Sequence, residues 1–192
     1  MGDRTFKESV SSIATLSPDK QKLLRNSFVS CSFDKGECIF SCGDVCSKIF
    51  FIKKGLLKIS AHKGTEAKVL RFVPPGFFIA DYRSLVFQKP SYYSLVCLSH
   101  MTVLETDYNK LNDLFVSCRS FETFGRRFVE TLYAEFMQVI NQKIFLSPEQ
   151  QYRFLMENHP QIILSVAQKD IASYLGISSE ALSRLKRRYF SK

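Results

Sequence analysis

At 192 residues the chain is long enough for one sizeable domain and a small one, and 45% hydrophobic with 23% charged residues describes a folded globule rather than a disordered chain. The net charge of +9 suits a polyanionic partner without locating it, since segment 48–72 carries seven Lys or Arg against one Glu and is basic in its own right. There is no charged-then-apolar leader, no long apolar run, and Phe6 stands where a lipidation signal beginning at Gly2 wants Ser or Thr, so a cytoplasmic protein with reduced thiols and no membrane contact is expected.

In chain order, residues 1–17 are polar and weakly patterned and read as a loose arm. Ser17-Pro18-Asp19 starts a helix, with Pro in the first turn, and Leu23, Leu24 and Phe28 give it an apolar side over roughly 18–29. From Cys31 to Asp107 the texture changes. Five of the eight Gly (Gly36, Gly43, Gly55, Gly64 and Gly76) punctuate short β-rich runs at Cys38–Ser41, Lys48–Lys53, Leu56–Ala61, Ala67–Val73, Tyr92–Leu98 and Thr102–Thr106. Short strands at near-even spacing predict an antiparallel β-roll or jelly roll. Lys54-Gly55 and Lys63-Gly64-Thr65 read as hairpin turns. Pro74-Pro75-Gly76 breaks the run, and 77–91 is where such a roll has room for a short helix and a ligand pocket.

Asp107 caps a helical region over 109–144, expected to break near Ser117–Ser120. Its apolar stripe runs through Leu111, Leu114, Phe115, Cys118, Phe121, Phe124, Phe128, Leu132, Phe136, Val139 and Ile140 at steps of mostly three and four. Such a stripe needs a partner. Phe121, Phe124, Phe128, Leu132 and Phe136 are assigned to a homodimer seam; a helix wholly covered by its own domain is the alternative. Ser147-Pro148-Glu149 starts a further helix that ends at His159-Pro160. The expected division is therefore 1–108 for the arm, helix and roll, 109–145 for the dimerisation segment, and 146–192 for a small helical domain.

The last segment, 164–192, predicts two short helices and a tight turn. Ile171, Ala172 and Leu175 give the first an apolar face, Gly176 turns the chain, Ile177 plugs the corner and Ser178 caps the second helix. Leu182, Leu185 and Tyr189 point inward, leaving Glu180, Ser183, Arg184 and Arg187 outward, flanked by Ser179, Lys186 and Arg188. A plain helical hairpin shares part of this pattern. The small Ala172, the apolar offsets and the basic outward face favour a helix-turn-helix whose second helix enters the DNA major groove. In that reading Ser179, Glu180, Ser183 and Arg184 face base edges, while Gln168, Lys169, Lys186, Arg187 and Arg188 hold phosphates.

The order of parts, with GDVCSKIFFIKKGLLKIS (43–60) in the roll and QKDIASYLGISSEALSRL (168–185) in the helical unit, resembles the Crp–Fnr family of bacterial transcription regulators. The resemblance implies an α+β protein with a cyclic-nucleotide-binding-like roll and a long dimer helix. It also implies binding to palindromic double-stranded promoter DNA and contact with RNA polymerase. The family's base-reading Glu and Arg fall on Glu180 and Arg184, with Ser179 where an Arg is common. The family's C-terminal β-hairpin wing has no counterpart before Lys192, so fewer phosphate contacts are expected there. In cyclic-nucleotide-binding members a Glu meets the ribose and an Arg the cyclic phosphate. Alignment of 75–98 puts Ala80 and Ser91 at those positions, so cyclic AMP is not expected and no cofactor is assigned. Asp81 and Arg83 read as a solvated pair. Phe77, Phe78, Tyr82, Arg83, Tyr92 and Tyr93 outline a possible pocket for another effector.

The other cysteine pattern to weigh is Cys38, Cys42 and Cys46, with Cys31 upstream. Some relatives of this kind carry an iron–sulfur cluster, but with no tight Cys-x-x-Cys pair the thiols read as buried and structural. No catalytic constellation is present in the sequence, so an enzyme is not expected. The function read here is a homodimeric, sequence-specific DNA-binding regulator. The alternative is a small-molecule sensing module whose C-terminal helices bind a protein.

Overall fold

A computed structural model of the chain describes residues 4–63 and 66–190. Eight short strands form two four-stranded antiparallel sheets. One has the order β1-β8-β3-β6 (Val29–Phe33, Met101–Asp107, Lys48–Lys54, Phe78–Ile79), the other β2-β7-β4-β5 (Cys38–Phe40, Tyr93–Cys97, Leu57–Lys63, Glu66–Val73). Alternation along each strand sends one set of side chains between the sheets. Phe50, Ile52, Leu57, Val73, Leu95, Met101 and Val103 fill that space. The six predicted strands are present, and β1 and β6 are additional. Leu57 pairs with Val73 and Lys63 with Glu66, while the Gly64-Thr65 turn joining those strands lies outside the described residues.

The expected loose arm is instead helical. Helix α1 (Phe6–Ile13) opens on a capping box in which the Thr5 hydroxyl accepts from the Glu8 N–H and the Glu8 carboxylate accepts from the Thr5 N–H. Val10, Ile13, Ala14 and Leu16 are buried, and Phe6 packs edge-on against Phe28, Phe51 and Phe78. The arm is thus a plug over the sheet of β1, β8, β3 and β6. Helix α2 covers Pro18–Asn26 and a short α3 covers Tyr82–Phe87.

Asp107 caps α4 (Tyr108–Ser117) by accepting from the Asn109 and Lys110 N–H groups. The chain breaks at Cys118, which is extended, and α5 runs 27 residues from Arg119 to Phe145. The two helices approach closely because residue 125 is Gly: a Cβ there would meet the Phe115 ring at 2.7 Å. Gly125→Val should therefore destabilise the fold by about 1–3 kcal/mol through overpacking. A thermal melt checks this, and an unchanged Tm contradicts it.

After Leu146 come α6 (Pro148–Asn158), α7 (Pro160–Ser165), α8 (Gln168–Leu175) and α9 (Ser179–Phe190). A second capping box, between Ser147 and Gln150, starts α6. The helix beginning at Pro160 was not expected; Pro ends α6 but its fixed φ also suits a first helical turn. These helices share a core with the outward face of the roll: Tyr152, Leu155, Ile162, Ile171, Leu175, Leu182 and Leu185 cluster with Leu56, Val69 and Phe72. Three polar or aromatic contacts seal the seam. Lys58 Nζ lies 2.8 Å from Asp170 Oδ1, the Val69 N–H donates to Ser173 Oγ at 3.0 Å, and Phe72 packs on Tyr174. No helix among the described residues is long and apolar enough to cross a membrane.

Candidate functional site

Helices α8 and α9 form the tightest local device in the C-terminal unit. Gly176 sits at φ 68°, a left-handed conformation that stops α8 and turns the chain. The Ile177 N–H then closes on the Ala172 carbonyl at 3.0 Å, and half-buried Ile177 packs against the shared core. Ser178 Oγ accepts from the Ala181 N–H at 3.2 Å, capping α9. Leu182 and Leu185 are buried, and Ala172 is buried opposite them. The side chain of Tyr189, expected to point inward, lies outside the described residues.

The other face of α9 is open. Ser179, Glu180, Ser183, Arg184, Arg187 and Arg188 are all exposed, as are Gln168 and Lys169 on the first turn of α8. Lys186 is half-buried on the flank, and burial pushes its ammonium pKa down. It is less available to a phosphate than its neighbours. Glu180 is held in its charged form: a hydrogen bond from Ser178 contributes most, then its own backbone N–H, with the Arg184 guanidinium one turn on adding attraction. A carboxylate acceptor and a five-donor guanidinium thus stand side by side on a rigid rod, with Arg187 and Arg188 beyond them. Neither is consumed by an ion pair among those found in the structure.

The unit is fastened to the long helix by Lys143 at the end of α5. Its ammonium donates to Gln151 Oε1 at 3.1 Å and to the Tyr174 carbonyl, and lies 3.3 Å from the centre of the Tyr174 ring. Burial pushes its pKa from 10.5 down to about 8. Between those values the unfolded chain holds a proton that the folded chain has lost, so stability rises with pH across that window. The Tm of the wild type should gain on that of Lys143→Met as pH goes from 8 to 10; a constant difference contradicts the burial of this charge.

The long helix corrects the sequence reading of its seam. Phe121, Phe124 and Phe128 are buried within the chain, with Phe124 and Phe128 stacked and Phe78 edge-on to Phe128. They serve the protein's own core and face no partner. Leu132 is half-buried against that core, and of the five only Phe136 is open. The stripe that is open lies on another side of α5: Tyr133, Phe136 and Ile144, with half-buried Ile140 between the last two, at steps of three, four and four, with Tyr133 65%, Phe136 51% and Ile144 67% exposed. The sequence stripe merged two faces because aromatic residues occupy both.

The roll's expected effector pocket is also corrected. Phe78 is core, and Tyr82 packs on Tyr108 with its hydroxyl pKa pushed up to about 12 by burial. Arg83 is folded over Tyr92 at 4.5 Å and donates to the Pro90 carbonyl and the Tyr92 hydroxyl; Tyr93 is half-buried. Phe78, Tyr82 and Arg83 are thus taken up by contacts within the chain. Asp81 is no solvated group either, being 7% exposed. Its carboxylate accepts from the Ser84 N–H at the start of α3 and from Ser91 Oγ at 2.7 Å, and Ser91 Oγ in turn accepts from the Tyr93 N–H. Asp81 and Ser91 thus satisfy each other inside the roll, and neither supplies a cation. Ala80 is half-buried beside Asp81.

The cysteines divide. Cys46 and Cys97 are buried with pKa values pushed up by burial, whereas Cys38 and Cys42 are exposed, contrary to the expectation of buried thiols. Cys38 opens the edge strand β2 and Cys42 immediately precedes the Gly43 turn, so the spacing that suggested one face is broken by the turn and by a bulge in β2. Among the described residues no group of three or more His, Cys, Asp or Glu stands where it would hold a metal.

The family model for the cyclic nucleotide-binding domain matches residues 30–118. No curated protein sequence matches the chain. Among solved structures, it is similar to the c-di-GMP responsive global regulator CLP of Xanthomonas campestris, with TM-score 0.69 at 14% identity over 90% of this chain and 91% of that one. It is similar to FixK2 of Bradyrhizobium japonicum, with TM-score 0.71 at 15% identity over 85% of each. It is similar also to the catabolite activator protein of Thermus thermophilus, with TM-score 0.59 at 17% identity over 95% and 87%. Residues 30–118 thus match the cyclic nucleotide-binding domain model, and the chain as a whole shares the fold of these solved regulators.

Proposed function

We propose that the protein is a homodimeric, sequence-specific DNA-binding transcription regulator acting in the cytoplasm, and that it is not an enzyme. Residues 146–192 are the DNA-binding unit, 109–145 the dimerisation segment and 1–108 the sensor roll. The observation that carries the reading is the open face of α9, where capped and charged Glu180 stands one turn before exposed Arg184. Glu180 and Arg184 read base edges, assisted by Ser179 and Ser183. Gln168, Lys169, Arg187 and Arg188 hold phosphates, with Lys186 at the edge. Two copies joined along the open α5 stripe present two such rods to successive major grooves of promoter DNA, where RNA polymerase is the further partner.

The roll does not bind cyclic AMP in this reading, because Ser91 supplies no cation and its hydroxyl is taken by Asp81. The salt dependence of duplex binding tests the assignment. Three phosphate-facing cations per copy predict a slope of log affinity against log salt of roughly −5 for the dimer. No duplex binding even at low salt would favour the other reading, in which the C-terminal helices engage a protein.

A further inference from the structure

A cleft of about 590 Å³ opens where α1, the β5 strand with its Pro74-Pro75-Gly76 turn, α5 and helices α6 to α8 meet. It lies away from the Asp81–Ser91 locus in the roll. Its size and its position between structural units are those of small-molecule sites. Phe77, Leu132, Val139, Phe154 and Ile162 supply apolar wall.

The charge inside is lopsided. Arg4 and Arg71 both line the cleft, and both guanidiniums act on one carboxylate, Glu135. The Arg71–Glu135 contact is long, at 3.4 Å, and the Arg71 guanidinium lies over the Phe77 ring, 5.2 Å from its centre. Burial pushes Glu135 toward its neutral form despite both arginines. His159 also faces the cleft; burial above all, with repulsion from Arg71 among the smaller contributions, lowers the pKa of its imidazole. The other carboxylate of the lining, Glu157, is exposed at the rim. A planar cation with a weak internal partner, set on an aromatic wall, is suited to a flat organic anion.

We propose that this cleft binds a small organic acid with a flat apolar body, its anionic head taken by Arg71 and Arg4 in place of Glu135 and its body lying between Phe77 and Phe154. Such an occupant touches the roll, α5 and the DNA-binding unit together. It therefore sets the angle at which α9 is presented.

Calorimetric titration of the full chain with 2-naphthoate, against the uncharged isostere 2-naphthamide, tests the proposal. No DNA is present, so failure here leaves the DNA reading untouched. The acid should bind at least about tenfold more tightly than the amide, Arg71→Gln should erase that preference, and Glu135→Gln should raise affinity for the acid severalfold. Far-ultraviolet circular dichroism establishes that each variant is folded; should Arg71→Gln not fold, Glu135→Gln alone decides. No binding of 2-naphthoate at millimolar concentration, equal binding of acid and amide, or an affinity that folded variants leave unchanged would overturn the proposal.

Discussion

Arg184→Ala should abolish discrimination at one base position while leaving the protein folded and still attracted to DNA. The side chain is exposed on the outward face of α9 and makes no packing contact whose loss would loosen the helix, since Leu182 and Leu185 carry that role. A guanidinium can bond two acceptors of a guanine edge at once, and losing that pair costs about 1–3 kcal/mol, roughly 10- to 100-fold, against the preferred base alone. Glu180, kept charged by Ser178, stands one turn before it on the same face. Arg187→Ala, on the same face one turn further along, should instead weaken all duplexes alike and flatten the salt slope by about 1. Competition assays with single-base variants of a bound duplex separate the two. Equal losses on specific and random DNA for Arg184→Ala would remove that residue from the base-reading set.

The second large effect is expected from α5. Tyr133→Glu combined with Phe136→Glu puts four carboxylates into a seam between two copies while touching nothing in the monomer core, because both side chains are more than half exposed. Sedimentation should then report a species of 22.1 kDa rather than twice that mass. Binding to a two-half-site duplex should fall by on the order of 10²-fold or more, since the second contact is no longer intramolecular. Leu132→Glu would mislead, as it disturbs the chain's own core. A double variant that still sediments as a dimer would show that the copies meet elsewhere.

The roll and the C-terminal helix pair were legible because each is written in a local code. Gly-punctuated β runs and the sequence Leu175-Gly176-Ile177-Ser178 specify turns and caps within a few residues of themselves. The α1 helix is written in the same code: Thr5 and Glu8 form a capping box ahead of Val10 and Ile13. What the chain did not disclose is which of two apolar faces on α5 is spent internally. Phe128 and Phe136 are equally hydrophobic, and only the packing of Phe78 and Phe115 against Phe128 separates their roles. Asp81 gives the same lesson for the roll. As a letter it is a surface acid two residues before Arg83; in space it is buried against Ser84 and, ten residues on, Ser91, while the Arg83 guanidinium lies over Tyr92. The cleft bounded by Arg4, Arg71 and Glu135 draws on residues from α1, β5, α5 and helices α6 to α8, so no spacing rule reaches it.

The claim on which the account rests is that α9 reads base edges, two copies at a time. Selection of bound duplexes from a random pool measures this in one step. The account predicts enrichment of an inverted repeat whose half-sites are centred about 10 base pairs, or a multiple of that, apart. Enrichment of no sequence, or of a single half-site without its mirror image, would contradict it.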